Sequence, residues 1–304
     1  MIVVENLTRR FGSVVAVDGV SFRAEPGKVT GLLGPNGAGK TTTLSMISGL
    51  LKPDAGRVLL QGIDVAERPL EAKALLGVVP QEIALYEEIS ARENLEFWGA
   101  LRGLEAKALK ARIDEVLNTV ELAGRNDPVS KFSGGMKRRL NLAAGILHHP
   151  PVLLLDEPTV GIDVHARARI LEIVREEANR GTTVLYTTHY LEEAENLCDR
   201  IAIMDHGKIL ADDETQRLKR SLGEGRLVIV RGNFEESAFR ERVRHNGTMH
   251  FPERGRAILG VGDHPVPQVL EHLFASGLQI DDVTVQEPRL ENVFLKLTGR
   301  ELRD

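Results

Sequence analysis

The chain has 304 residues, of which 42% are hydrophobic and 27% charged, a size that accommodates one large domain and a smaller one, each with a core. A formal net charge of −5 and a pI of about 6.0 argue against whole-chain nucleic-acid binding. The one cysteine, Cys198, excludes an intrachain disulfide and fits a reducing compartment. The opening MIVVENLTRR lacks the pattern of a signal peptide, and no run approaches the ~20 apolar residues that span a bilayer.

In chain order, the segments near 2–7, 14–24 and 57–61 read as strands of an antiparallel flank. KVTGLLG (28–34), LLGVVP (75–80), PVLLLDEP (151–158) and TTVLYTTH (182–189) read as strands whose near-continuous apolar character suits parallel pairing with both faces buried. Helical patterns separate them at about 40–50, 91–101, 105–123, 135–148, 165–179 and 191–197. The alternation predicts an α/β domain with a mostly parallel sheet. A helix near 213–221 ends at Gly223 and Gly225, so the boundary is expected there: a first domain over 1–222, with a helical subdomain at about 82–150, and a second over 223–304. Beyond it, strands near 226–230, 247–251, 256–261 and 279–288 and helices near 235–244, 266–276 and 289–298 follow the order β-α-β-β-α-β-α. That order predicts a small ferredoxin-like α+β domain. Its histidines, His250, His264 and His272, have no ligand-like spacing.

GPNGAGKT at 34–41 matches G-x-x-x-x-G-K-[ST] and lies between a strand and an amphipathic helix. Such a loop turns backbone N–H groups inward at phosphate oxygens, and the helix N-terminus adds its positive dipole end. Gly34, Pro35, Asn36, Gly37, Ala38, Gly39, Lys40, Thr41 and Thr42 are the expected nucleotide-binding residues. Lys40 is expected to reach the β- and γ-phosphates and the Thr41 hydroxyl to ligate Mg²⁺. In VLLLDEP, Asp156 and Glu157 follow a buried strand, where open parallel sheets hold their ligands. Adjacent strand residues point to opposite sides, so the two acids are given different tasks: Asp156 on the metal, Glu157 on the attacking water. His189 closes a strand expected to neighbour the one bearing Glu157.

Together these features resemble the ATP-binding-cassette family over residues 1 to about 220. GPNGAGKT resembles its Walker A motif, LLLDEP its Walker B, and FSGGM at 132–136 its signature, usually LSGGQ. Gln81 resembles the Q-loop glutamine, Asp163 in GID the D-loop aspartate, His189 the switch histidine that contacts the γ-phosphate, and Phe11 the aromatic that stacks on adenine. The resemblance implies Lys40, Gln81, Glu157 and His189 as catalytic residues, Thr41, Gln81 and Asp156 around Mg²⁺, and ATP as the nucleotide. It also implies head-to-tail pairing, in which Ser133, Gly134 and Gly135 serve the γ-phosphate of a second molecule. Ser133 reads as a helix N-cap followed by an open first turn. The partner is expected to be a second copy or a related subunit.

Phe132 and Met136 depart from the signature pattern. Met136 falls on a helical stripe with Leu140, Ala143, Ala144 and Leu147 and reads as packing. Lys137, Arg138 and Arg139 read most simply as a solvated helix face, with a nucleotide or permease contact as the alternative, and His148 and His149 as caps of that helix's carbonyls. Motor subunits of this family act beneath a separate integral-membrane permease, at the cytoplasmic face. Ile83, Leu85 and Tyr86 are candidates to line its docking groove. SGGMKRRL and the ending EPRLENVFLKLTGR resemble the drug-resistance exporters of the daunorubicin type, which favours export of a drug, lipid, polysaccharide or ion. An importer subunit is the alternative. A cassette acting on nucleic acid or ribosomes is disfavoured: the single cysteine excludes a cysteine-rich zinc module, and only one Walker A is present. A cassette that senses ATP without hydrolysing it is opposed by Glu157 and His189.

Overall fold

A computed structural model describes residues 1–221, 226–243, 247–261 and 266–299. Gly223, Gly225 and His264 lie outside the described residues. The chain forms two compact units, Met1–Asp212 and Asp213–Asp304, so the helix that begins at Thr215 belongs to the second.

The first unit opens with a long hairpin, β1 (Ile2–Phe11) and β2 (Val14–Ala24), then the central strand β3 (Val29–Leu33) and helix α1 (Lys40–Ile47). Strands β4 (Ala55–Leu60) and β5 (Ile63–Asp64), helix α2 (Pro69–Ala74) and strand β6 (Leu76–Val79) follow. Three helices come next: α3 (Ala91–Leu101), α4 (Ala106–Thr119) and α5 (Gly134–Ile146). The unit closes with β7 (Val152–Asp156), α6 (Val164–Asn179), β8 (Thr183–Thr188), α7 (Leu191–Leu197), β9 (Arg200–Asp205) and most of β10 (Lys208–Glu214).

Two sheets result. The flank has the order β2-β1-β4-β5, with antiparallel neighbours. The main sheet has the order β10-β9-β3-β8-β7-β6, and its pairs from β9 to β6 are parallel. Every residue of β3, β7 and β8 is buried, which explains their near-continuous apolar sequence. The inner face of the flank joins one core with the main sheet and α1: Ile2, Leu7, Val20 and Phe22 pack with Leu32, Ile47, Leu154 and Leu185. Strand β9 had no counterpart among the expected strands, yet it lies beside β3 and is almost wholly buried.

Helix starts are set locally. Ser90 and Glu93 form a reciprocal capping box at α3. Ser133 caps α5 through the Met136 N–H, and Asp163 caps α6 through the Ala166 N–H. The end of α5 is closed differently from expectation. Arg112 of α4, 8% exposed, donates to the carbonyls of Ile146 and Leu147 at 2.9 and 3.0 Å. His148 instead bonds the carbonyl of Leu76 on β6 at 3.0 Å.

The second unit contains α8 (Thr215–Arg220), β11 (Leu227–Asn233), α9 (Glu236–Arg242), β12 (Met249–Glu253), β13 (Arg256–Gly260), α10 (Val266–Ala275), β14 (Gln279–Gln286) and α11 (Leu290–Thr298). Its sheet order, β12-β13-β11-β14, is antiparallel throughout and is that of a ferredoxin-like fold. Alternation along β11 places Val228 and Val230 against Phe239 of α9 and Leu273 of α10. Leu227 and Ile229 face the other way and are also buried.

Candidate functional site

Because β3, β8 and β7 are successive parallel neighbours, their carboxyl ends converge at one edge. The Gly34 N–H donates to the carbonyl of Thr188 at 3.4 Å, and the Glu157 N–H to the carbonyl and hydroxyl of Thr187 at 3.2 and 3.0 Å. These bonds fix the 34–39 loop against the segments leaving β7 and β8.

The loop is shaped for backbone, not side chains. A Cβ at Gly34 would lie 2.2 Å from the Met204 carbonyl oxygen. Gly39 has φ 105° and a Cβ there would lie 2.5 Å from the Ala16 carbonyl oxygen, so only glycine fits. Helix α1 begins at Gly39 without a side-chain cap, which leaves its first-turn N–H groups to bind an anion. Asn36, Gly37 and Thr41 are exposed, Pro35, Gly39 and Thr42 are partly exposed, and Ala38 is buried.

Lys40 is 4% exposed. Its Nζ contacts Glu157 Oε1 at 3.0 Å and donates to the carbonyls of Gly34 and Pro35 at 2.8 and 3.1 Å. Glu157, 5% exposed, also meets His189, Oε2 to Nδ1, at 3.1 Å. It adopts φ 45°, a left-handed conformation uncommon for a residue with a side chain and held here by its bonds to Thr187. Asp156 turns the other way and accepts from the Thr187 hydroxyl at 2.6 Å. The two acids thus have separate partners.

Gln81 is exposed, and its segment is fastened to α5. Arg138 donates to the Gln81 carbonyl. Asn141, 3% exposed, accepts from the Ala84 N–H at 3.2 Å and donates to the Pro80 carbonyl at 3.3 Å. Lys137 pairs with Glu87 at 2.6 Å, and Arg139 with Glu121 at 2.8 Å. The basic run is therefore not the solvated face expected from sequence: each residue has a partner, and desolvation lowers the pKa of Arg138.

Ser133 and Gly134 are exposed, and this turn adjoins the D-loop rather than Lys40. A Cβ at Gly135 would lie 2.7 Å from Ala166 Cβ and 3.4 Å from Asp163 Oδ2, so glycine is required for α5 and α6 to start side by side. The Ala166 N–H on its oxygen lowers the pKa of Asp163. Phe11 is 49% exposed at the hairpin tip, with the Arg9 guanidinium 5.0 Å from its ring centroid. Tyr86, 46% exposed, stacks edge-on with Phe97.

Among the described residues no helix is long and apolar enough to cross a membrane, and no group of three or more His, Cys, Asp and Glu side chains could hold a metal. The oxygen donors Thr41 and Asp156 suit Mg²⁺ arriving on a nucleotide, the usual way this ion is held. Residues 17–160 match the family described as ABC transporter. The chain is 42% identical to a linearmycin resistance ATP-binding protein of Bacillus subtilis over the full length of both. The chain is an ABC transporter ATP-binding protein.

Further similarities agree with that family. The ABC protein is 40% identical to a daunorubicin resistance ATP-binding protein of Streptomyces coeruleorubidus, covering 99% of this chain and 97% of the relative. It is 39% identical to a Nod factor export ATP-binding protein of Burkholderia lata, covering 98% and 97%. The dimeric structure of a post-hydrolysis cassette bound to ADP and Pi matches with a TM-score of 0.64 and 25% identity, over 71% of this chain and 99% of that one. The ABC protein is an ATPase, and such cassettes pair and work with separate membrane subunits. Arg138, Asn141 and Thr187, which steady the motif segments, carry no local sequence signal.

Proposed function

We propose that this chain powers an exporter of drug-like molecules, as a homodimer at the cytoplasmic face beneath a separate permease. The observation that carries export is the full-length similarity to relatives named for drug resistance and export. Homodimerisation is supported by the signature turn, whose neighbours within the chain are Asp163 and Ala166 rather than Lys40, and by the dimeric ADP-bound relative. In this reading Ser133, Gly134, Gly135 and the D-loop Asp163 face the partner's nucleotide, while Phe11 stacks on the adenine. The second unit is read as a regulatory or dimerisation module, and Ile83, Leu85 and Tyr86 as part of the permease groove.

Lys40 and the loop N–H groups bind the phosphates, and Thr41, Gln81 and Asp156 hold Mg²⁺, which supplies charge neutralisation when bound. Glu157 orients and polarises the attacking water, with His189 beside it on the γ-phosphate. Lys40 contacts Glu157 and two carbonyls. Phosphate oxygens compete for Lys40, and the carboxylate they release gains a free oxygen for the water.

The test is a pair of variants in the full chain. Lys40→Ala is expected to lose ATP binding, and Glu157→Gln to retain ATP and accumulate as a dimer by size-exclusion chromatography. Wild-type hydrolysis by Glu157→Gln would remove Glu157 from this role. Drug-stimulated MgATP hydrolysis with the co-purified membrane protein in liposomes tests the exporter reading. Uptake in place of extrusion would overturn it.

A further inference from the structure

Beneath the Glu157–His189 contact lies a second buried carboxylate. Glu193, on the first turn of α7, is 4% exposed. Its Oε2 accepts three hydroxyl hydrogen bonds, from Tyr186 at 2.8 Å, Thr159 at 2.9 Å and Thr188 at 3.1 Å. Its Oε1 is buried without a hydrogen bond, and Arg167 Nε stands 3.4 Å from it, also without one. A buried carboxylate is costly unless its oxygens are satisfied, and here one oxygen carries nearly all of the compensation.

The three donors occupy different places. Tyr186 is inside β8, fully buried, and burial next to Glu193 keeps its phenol protonated by raising its pKa. Thr159 lies two residues after Glu157, and Thr188 immediately precedes His189. Strands β7 and β8 are adjacent, with Asp156 opposite Thr187. One carboxylate oxygen therefore ties the segment leaving β7 to the end of β8, where Glu157 and His189 meet at 3.1 Å. The Thr188 hydroxyl also accepts from the Tyr190 N–H at 2.9 Å, which secures the backbone on both sides of His189. On the other side, the Tyr190 ring lies 4.2 Å from His189 and carries the Arg167 guanidinium at 4.9 Å. Glu157 holds a left-handed backbone, a conformation that persists only where surrounding bonds impose it.

We infer that Glu193 is a positioning residue for hydrolysis: through Thr159 and Thr188 it holds Glu157 and His189 at bonding distance without touching the nucleotide. The inference rests on the roles proposed for Glu157 and His189. Hydrogen bonds to an ionised acceptor are short and strong, and displacement of a catalytic group by about 1 Å lowers rates on the order of a hundredfold. The position of one buried carboxylate therefore has a direct route to kcat.

The experiment measures kcat and KM for MgATP and the melting temperature of the full chain. Thr159→Val and Thr188→Val are each expected to lower kcat about three- to tenfold with KM within about twofold. The double variant should lose less than the product of the two, because both act through one carboxylate. Tyr186→Phe, which removes the bond farthest from the strand ends, should lower the melting temperature while kcat stays within about twofold. Glu193→Ala should lose at least about tenfold in kcat, and Glu193→Gln, whose amide oxygen still accepts the hydroxyls, should recover most of it. Threonine variants at wild-type kcat, or a Tyr186→Phe loss of kcat equal to theirs, would reduce Glu193 to a packing anchor. If Glu193→Ala does not fold, the threonine variants decide alone. Glu157→Gln is run alongside: hydrolysis at the wild-type rate overturns the site roles themselves, whereas an inactive Glu157→Gln with fully active threonine variants overturns only the role of Glu193.

Discussion

Lys40 and Glu157 are 4% and 5% exposed and 3.0 Å apart, which sets a stability prediction that needs no nucleotide. Removing one partner of such a pair leaves an uncompensated buried charge, at a cost of about 3–5 kcal/mol. Glu157→Gln should fall below that range, because Lys40 keeps the carbonyls of Gly34 and Pro35 at 2.8 and 3.1 Å; about 2 kcal/mol is expected. Lys40→Met leaves Glu157 with His189, 3.1 Å away, and should cost about the same. The double variant removes both charges together, so it should lie within about 1 kcal/mol of wild type. The coupling energy is then at least about 3 kcal/mol in magnitude, with negative sign. For a unit of the size of Met1–Asp212, 1 kcal/mol moves the melting temperature by about 2–4 °C. Each single variant should melt about 4–8 °C lower in EDTA without nucleotide, and the double should recover most of the loss. Calorimetry of the four proteins completes the cycle. A double variant as unstable as the sum of the singles would refute the pair as a coupled buried contact.

Two further outcomes follow from the same structure. Burial, reinforced by Arg102, holds His148 at a pKa of about 4, below its ordinary 6.5. The unfolded chain therefore takes up this proton first: the fold loses stability as pH falls from 6.5 to about 4 and loses no more from this group below that. Since the ring is partly reached by solvent, the loss should be roughly 1–2 kcal/mol. Urea midpoints between pH 4 and 7 should therefore slope less in His148→Gln, and an unchanged slope would refute the assignment. Gly135→Ala, whose Cβ would lie 2.7 Å from Ala166 Cβ, must push the start of α5 away from α6. Phosphate release should fall at least about tenfold while fluorescent-ATP binding by the isolated chain stays unchanged. Full activity in this variant would show that the two helix starts need not touch.

Elements whose cause is local were legible in the sequence. Ser90 and Glu93 mark the start of α3, the buried strands β3, β7 and β8 are written as near-continuous apolar runs, and Gly34 to Thr41 carry the candidate phosphate loop in eight consecutive residues. Strand β9 was missed because RIAIMD follows α7 almost directly; its pairing with β3 identifies it. The basic run was misread because its partners Gln81, Glu87 and Glu121 come from other segments. Arg112 is one charge among several on α4, and nothing near it in the sequence shows that two carbonyls at the end of α5 await it.

Phosphate binding by a glycine-rich loop depends on backbone groups, and backbone conformation is encoded within a few residues of itself; that is why a motif can mark the candidate site. Aiming the side chains is a different problem. The contact between Glu157 and His189 depends on the register of β7 against β8, which sets Asp156 opposite Thr187, and on Glu193 bonding Thr159 from 34 residues away. Register follows from burial of the whole sheet, not from any one segment. LEEAE presents its acids as an ordinary helix start, and only the folded sheet distinguishes the buried Glu193 from its more exposed neighbour Glu192. The groups proposed to bind phosphate are therefore marked by motif, while the groups that hold them in place are found by asking how each buried charge is satisfied.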